Sequence, residues 1–105
     1  MKLLIVTVVN EYEKHILKLF KDSKIERFSG SEIEGFKDSS PLLIHSSWFP
    51  VQRSGSDSSM FFSFTEDSKI DRFFDLVEKF NKNIETKNLI HAAVVPIERY
   101  IYNVL

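Results

Sequence analysis

Leu3-Leu4-Ile5-Val6-Thr7-Val8-Val9 is apolar or β-branched on both alternations. A strand sheltered on one face only would alternate apolar with polar, so this stretch reads as a central strand covered on both faces. The neighbouring segments follow from it. Asn10 offers an N-cap, and Glu13 stands three residues on, the spacing of a capping box. Tyr12, His15, Ile16, Leu19 and Phe20 then recur at helical spacing and predict a helix of about three turns. Lys18 and Lys21 complement the negative end of its dipole. Residues 25–36 alternate only weakly, with Phe28, Ile33 and Phe36 among Ser, Glu and Gly. This predicts a polar edge strand, in which Gly30 and Gly35 mark bulges or close approaches.

Residues 37–58 break the pattern. Seven serines, two prolines and the chain's one tryptophan fall in these 22 residues, with neither helix nor strand period. A structureless stretch longer than about 12–15 residues in a compact domain is usually functional or disordered. Beyond it, Met60-Phe61-Phe62-Ser63-Phe64 predicts a second central strand, and Thr65 can cap the helix that follows. Ile70, Phe73, Phe74, Val77, Phe80 and Ile84 form one stripe of that helix, with Asn81 and Asn83 placed to end it. Residues 89–95 predict a fourth strand stopped by Pro96, which suits an edge and not a centre. Residues 98–105 form a short tail, a helical turn or a small strand.

The element order βαββαβ predicts a single α+β domain over 1–105, a ferredoxin-like sandwich. Its antiparallel four-stranded sheet has the order 4-1-3-2, with two helices on one face and a long loop at 37–58. The greasiest strands fall at the centre and the polar ones at the edges, as that order requires. Strands one and three are also apolar toward the face that no helix covers. Burying one large side chain stabilises by about 1.5–3 kcal/mol, so this face predicts an oligomer.

Composition narrows the function. Fourteen basic residues against fifteen acidic ones leave no basic excess for nucleic acid or an anionic membrane. With no cysteine, disulfides and thiolate chemistry are excluded. No apolar run approaches the length of a membrane span, so no direct membrane insertion and a cytoplasmic location are expected. No P-loop, HExxH or GxSxG is present.

The opening strand, the run Ile25-Glu26-Arg27-Phe28-Ser29-Gly30-Ser31-Glu32-Ile33-Glu34-Gly35-Phe36 and the ending Ala93-Val94-Val95-Pro96-Ile97-Glu98 resemble the PII-like superfamily of trimeric signalling proteins. Glu34-Gly35-Phe36-Lys37-Asp38, Trp48-Phe49 and residues 59–65 are similar to its divergent branch associated with RND-type heavy-metal efflux systems. The resemblance implies a homotrimer, a regulatory role and an inner-membrane transporter as partner. It also implies a ligand site at the loop base, Gly35 and Phe36. The family's glycine-rich nucleotide loop has no counterpart, since residues 81–88 contain no glycine. Glycines let backbone N–H groups wrap a phosphate, so ATP is not the expected effector, and the loop holds no tyrosine to be modified.

Candidate side chains follow. Trp48 and Phe49, with Ile44 before them, are the partner-binding candidates, because exposed aromatics anchor interfaces by filling pockets; alternatively they fold back onto their own domain or a neighbouring subunit. Lys37, Arg53, Lys87 and Arg99 are candidates for an anionic ligand in a subunit cleft, or ordinary surface charge. His45 and His91 are the candidate metal ligands, joined across a subunit interface by Glu32, Glu34 or Asp57; the alternative is one solvated loop histidine and one strand histidine. The expectation is a non-enzymatic regulator whose loop orders against its partner when a small effector or divalent metal enters the cleft. The rival is a dimeric α+β barrel enzyme of the small monooxygenase or isomerase type, which would recruit His91, Trp48 and Tyr12.

Overall fold

The computed structural model describes residues 1–35 and 56–101. The chain forms β1 (Lys2–Val9), a 3-10 turn (Asn10–Tyr12), α1 (Glu13–Asp22), β2 (Ser29–Gly35), β3 (Ser56–Thr65), α2 (Asp67–Asn83) and β4 (His91–Pro96). The four strands make one antiparallel sheet in the order β2-β3-β1-β4. This is the expected α+β, ferredoxin-like arrangement, with the apolar β1 and β3 at the centre and Pro96 on an edge. Among the described residues no helix is long and apolar enough to cross a membrane.

Leu4, Val6 and Val8 of β1 and Phe61 of β3 point to the helices and are buried with Ile16 and Phe20 of α1 and Phe73 and Val77 of α2. Phe20 is the hub, stacked on Phe28 at 4.4 Å and on Phe73 at 4.8 Å, with Phe61 edge-on at 5.8 Å. Gly30 lies opposite Phe61 in the sheet, and a Cβ there would come within 2.6 Å of two Phe61 ring carbons. The close approach expected at Gly30 is therefore made by an aromatic ring.

Helix ends depart from expectation. Asn10 does not cap α1. A 3-10 turn intervenes, and the Asn10 Oδ1 instead accepts a hydrogen bond from Ser59 Oγ at 3.2 Å, tying the end of β1 to β3. Thr65 does not cap α2 either; it belongs to β3, and Glu66 takes the N-cap position without a side-chain hydrogen bond. The sheet ladder took Thr65, and the Ser59 side chain took Asn10, in place of the helix termini.

The C-terminus of α1 closes through two reverse bonds, Ile25 N–H to Phe20 O and Lys24 N–H to Lys21 O, both 3.0 Å. That is a Schellman motif. Its left-handed position is held by Lys24, with φ of 63°, where glycine would be unstrained. Arg72 Nε donates to Asp22 O at 3.1 Å and joins α2 to the same terminus.

Strand limits shift too. β2 begins at Ser29 and not at residue 25, because Ile25 is spent on the helix cap and Phe28 on the core. β3 begins at Ser56, so the last three residues of the expected loop lie in the strand, paired with Ile33, Glu34 and Gly35. Residues 97–101 form neither a helical turn nor a strand.

Candidate functional site

Antiparallel pairing places directly opposite residues on the same face. On the face away from the helices, the registers give four rows. Leu3 lies between Phe64 and Val95, and Ile5 between Phe62 and Ala93, with Ser29 beyond. Thr7 lies between Met60 and His91, with Ser31 beyond, and Val9 lies beside Ser58 and Ile33. Among the described residues of these rows, His91 is the sole titratable side chain.

The face is uneven along its length. At the end where β2 finishes and β3 starts, Thr7, Val9 and Ser58 are buried. At the other end Phe62, Phe64 and Val95 are 37%, 53% and 41% exposed. The Phe62 and Phe64 rings meet edge-on at 6.3 Å. Beside them opens a groove of about 540 Å³, lined by Phe28, Phe62, Phe64, Tyr100, Ile101 and Met1, with Glu26, Arg27, Ser29 and Ser63 completing it. Ser63 Oγ donates to Arg27 O at 2.6 Å and holds the chain entering β2 against β3. Since Tyr100 and Ile101 follow the edge strand β4 yet line a groove with Phe28 and Ser29, the tail crosses the sheet toward its opposite edge.

His91 is half-buried, and burial pushes its pKa below the ordinary histidine value. The buried Thr7 Oγ1, opposite it in register, has no hydrogen-bond partner among the described residues. Leaving a buried hydroxyl unpaired costs about 1–3 kcal/mol. This pair brings the one titratable side chain of the described rows beside an unsatisfied hydroxyl.

The connection between α2 and β4, expected to be a nucleotide loop in a nucleotide-binding relative, is instead clamped by side chains. Asn81 Nδ2 donates to Ile90 O at 3.0 Å, and Ile90 N–H donates to Asn81 Oδ1 at 2.9 Å. The amide thus acts as a short strand partner for the residue before β4. The Tyr12 hydroxyl and Thr86 Oγ1 are hydrogen-bonded at 2.7 Å, and the Tyr12 ring packs edge-on against Phe80 at 5.3 Å.

Of the ligand candidates, Gly35 ends β2 opposite Ser56, and Lys87 is exposed in the α2–β4 connection. Both lie at the same end of the sheet, but at opposite edges. Arg99 is exposed beyond Pro96, at the other end. One chain therefore does not bring these three together. Glu32 and Glu34 are exposed on β2, and Glu32 lies on the helix side of the sheet, opposite Ser59. His91 is on the reverse face at the far edge. Among the described residues no group of three His, Asp or Glu side chains converges to hold a metal ion. Phe36, Lys37, Arg53, Ile44, Trp48, Phe49 and His45 lie outside the described residues. Sequence reasoning missed Tyr100 and Ile101; the apolar run after Arg99 was the available signal.

An α+β sandwich with a nearly charge-free sheet face, turned away from the helices and exposed at one end, is thus defined. No protein-family model matches the chain, and no curated protein matches it by sequence. Its fold, however, is that of the PII-like proteins. It is similar to CPII, a nitrogen regulatory PII-like protein from Thiomonas intermedia K12 solved with ADP, AMP and bicarbonate. The TM-score is 0.60 at 8% identity, over 95% of this chain and 94% of that one. It is also similar to a DUF3240-family protein from Shewanella baltica OS155, with a TM-score of 0.64 at 15% identity over 98% and 96%.

Proposed function

We propose that this protein is a cytoplasmic, non-enzymatic regulator of the PII-like kind, working as a homotrimer assembled through the exposed end of the sheet face opposite the helices. The observation that supports the reading most is that face itself. Phe62, Phe64 and Val95 stand exposed on a scaffold whose helices shelter only the other side. A face without net charge can meet copies of itself without like-charge repulsion.

In this reading a small effector or a divalent metal ion enters the cleft between subunits and changes how residues 36–55, which join β2 to β3, engage a partner. A membrane transporter, and among transporters a metal-efflux system, is the partner class the sequence resemblance implies. The effector can bias the contact only by binding one arrangement better than the other. Lys87 of the described residues and Lys37 at the base of the connection are the cations that would hold an anionic effector.

The nucleotides bound by CPII are not carried over to this chain. Residues 84–90 lack glycine, and Asn81 already occupies the backbone groups of Ile90. A small anion of bicarbonate's class needs no such cradle. Sedimentation equilibrium tests the assembly: three copies are expected, two would favour a barrel-type dimer, and a stable single copy in dilute solution would overturn the reading. Calorimetric titration with ADP, bicarbonate and zinc then sorts the effector classes, with no heat from ADP expected.

A further inference from the structure

We infer that the notch between the end of α1 and the start of α2 binds a phosphoryl group, held by Lys24, Lys69 and Arg72. The site lies in the helix layer, apart from the sheet face, so it goes beyond the function proposed above and does not depend on assembly. The notch is a solvent-open cavity of about 490 Å³ walled by Asp22, Ser23, Lys24, Ser68, Lys69 and Arg72. Three cations stand there against one lining carboxylate, in a chain whose formal net charge is −1. None of the three makes an ion pair among the described residues, where the pair that forms joins Lys2 to Asp67 at 3.0 Å.

The fold sets these cations in place without consuming them. Arg72 Nε donates to Asp22 O at 3.1 Å, which anchors the guanidinium. Its two Nη groups make no hydrogen bond among the described residues, and such a fork matches the spacing of phosphate oxygens. Lys24 keeps the left-handed position of the Schellman motif, φ 63°, where glycine would be unstrained. Strain of this kind is characteristically retained at functional positions.

The end of α1 would ordinarily repel an anion, because its last carbonyls carry the negative end of the helix dipole. Here all four are occupied. Leu19 O and Phe20 O accept from Ser23 Oγ at 2.8 and 3.1 Å, Lys21 O from Lys24 N–H at 3.0 Å, and Asp22 O from Arg72. The two ammonium groups and the guanidinium fork are left for a ligand. A phosphoryl group, with a charge of about −1.5 to −2 at pH 7 and three acceptor oxygens, matches three convergent cations.

Two probes test this and separate its sources: inorganic phosphate and phenyl phosphate, each titrated calorimetrically into the full chain at low salt. Binding is expected, and the tighter probe tells a free ion from a small phosphate ester. Lys69→Gln should weaken it about three- to fivefold, the scale of one exposed charge pair. Lys79→Gln removes the same charge from the same helix about 15 Å away and should leave binding unchanged. Lys24→Gly is the sharper variant. It should weaken binding by a similar factor while raising the urea midpoint, and a purely structural lysine would give only the second effect. The inference is overturned by a parent that gives neither heat nor a raised Tm with either probe. It is equally overturned if Lys79→Gln weakens binding as much as Lys69→Gln, or if Lys24→Gly and Lys69→Gln bind as tightly as the parent. A trimer indifferent to both probes would remove this site and leave the regulator standing; a single-copy protein that binds them would do the reverse.

Discussion

Replacing Gly30 by alanine puts the packing argument to its sharpest test. The new methyl carbon would start 2.6 Å from two carbons of the Phe61 ring, which is a full ångström inside ordinary carbon–carbon contact. Phe61 cannot swing freely. Its ring is buried, with Phe20 at 5.8 Å and Phe28 at 5.9 Å. Phe20 is in turn stacked on Phe73, so a displacement travels into α2. Overpacking of this kind costs about 1–3 kcal/mol. Against it stands the gain from removing a glycine from a strand, about 0.5–1 kcal/mol. A start at 2.6 Å from a ring held on two sides places this case in the upper half of the overpacking range, so the net expectation is a loss of about 1–2 kcal/mol, or about 5–10 °C in Tm for a domain this small. Thermal and urea unfolding should be compared at one subunit concentration, because assembly also contributes to apparent stability. In the double variant Gly30→Ala, Phe61→Leu the penalty should shrink, since leucine leaves room where the ring stood. A Gly30→Ala protein as stable as its parent, or a penalty unchanged by Phe61→Leu, would refute the reasoning.

Three further outcomes are expected. Lys24→Gly relieves a left-handed lysine at the end of α1 and should stabilise by up to about 1 kcal/mol, read as a raised urea midpoint at constant slope. Asn81→Ala removes both bonds to Ile90 and leaves that backbone unpaired next to β4, so a loss of about 1–3 kcal/mol and faster amide exchange at Ile90 are expected. His91 carries a pH signature: burial lowers its folded pKa, so the unfolded chain binds the proton more readily. Its contribution is therefore complete above the unfolded value of about 6.5 and is lost as pH falls through the folded value. The stability difference between the parent and His91→Gln should change with pH only below that point; a constant difference from pH 8 to 5 would refute it.

The fold was legible because its signals were redundant. The two-sided apolar run of β1, the Phe61–Phe62–Phe64 strand and the α2 stripe each admit one placement, and Pro96 sends the last strand to an edge. What escaped were contests between two local uses of one residue. Asn10 and Thr65 have good capping chemistry, but the sheet ladder took Thr65 and the Ser59 hydroxyl took Asn10. Ile25 looks like strand, yet the Schellman bond to Phe20 claims it for the end of α1. Local propensity prices each use alone, whereas the fold chooses by the partner available across the chain.

The site was less legible for a related reason. Chemistry-bearing residues were readable one by one, but a site is a convergence, and convergence depends on which end and which face each residue reaches. Lys87 and Arg99 are only twelve positions apart, yet β4 runs between them and carries them to opposite ends of the sheet. Glu34 and His91 are each exposed to some degree, yet they belong to opposite edges. The apolar face could be foreseen because strand alternation is periodic. The groove at its end could not, because it is made by an irregular tail crossing the sheet, and no period announces such a path. The rows that any β-sheet must shelter are written into its strands, while the groove beside them depends on residues of a segment without regular structure.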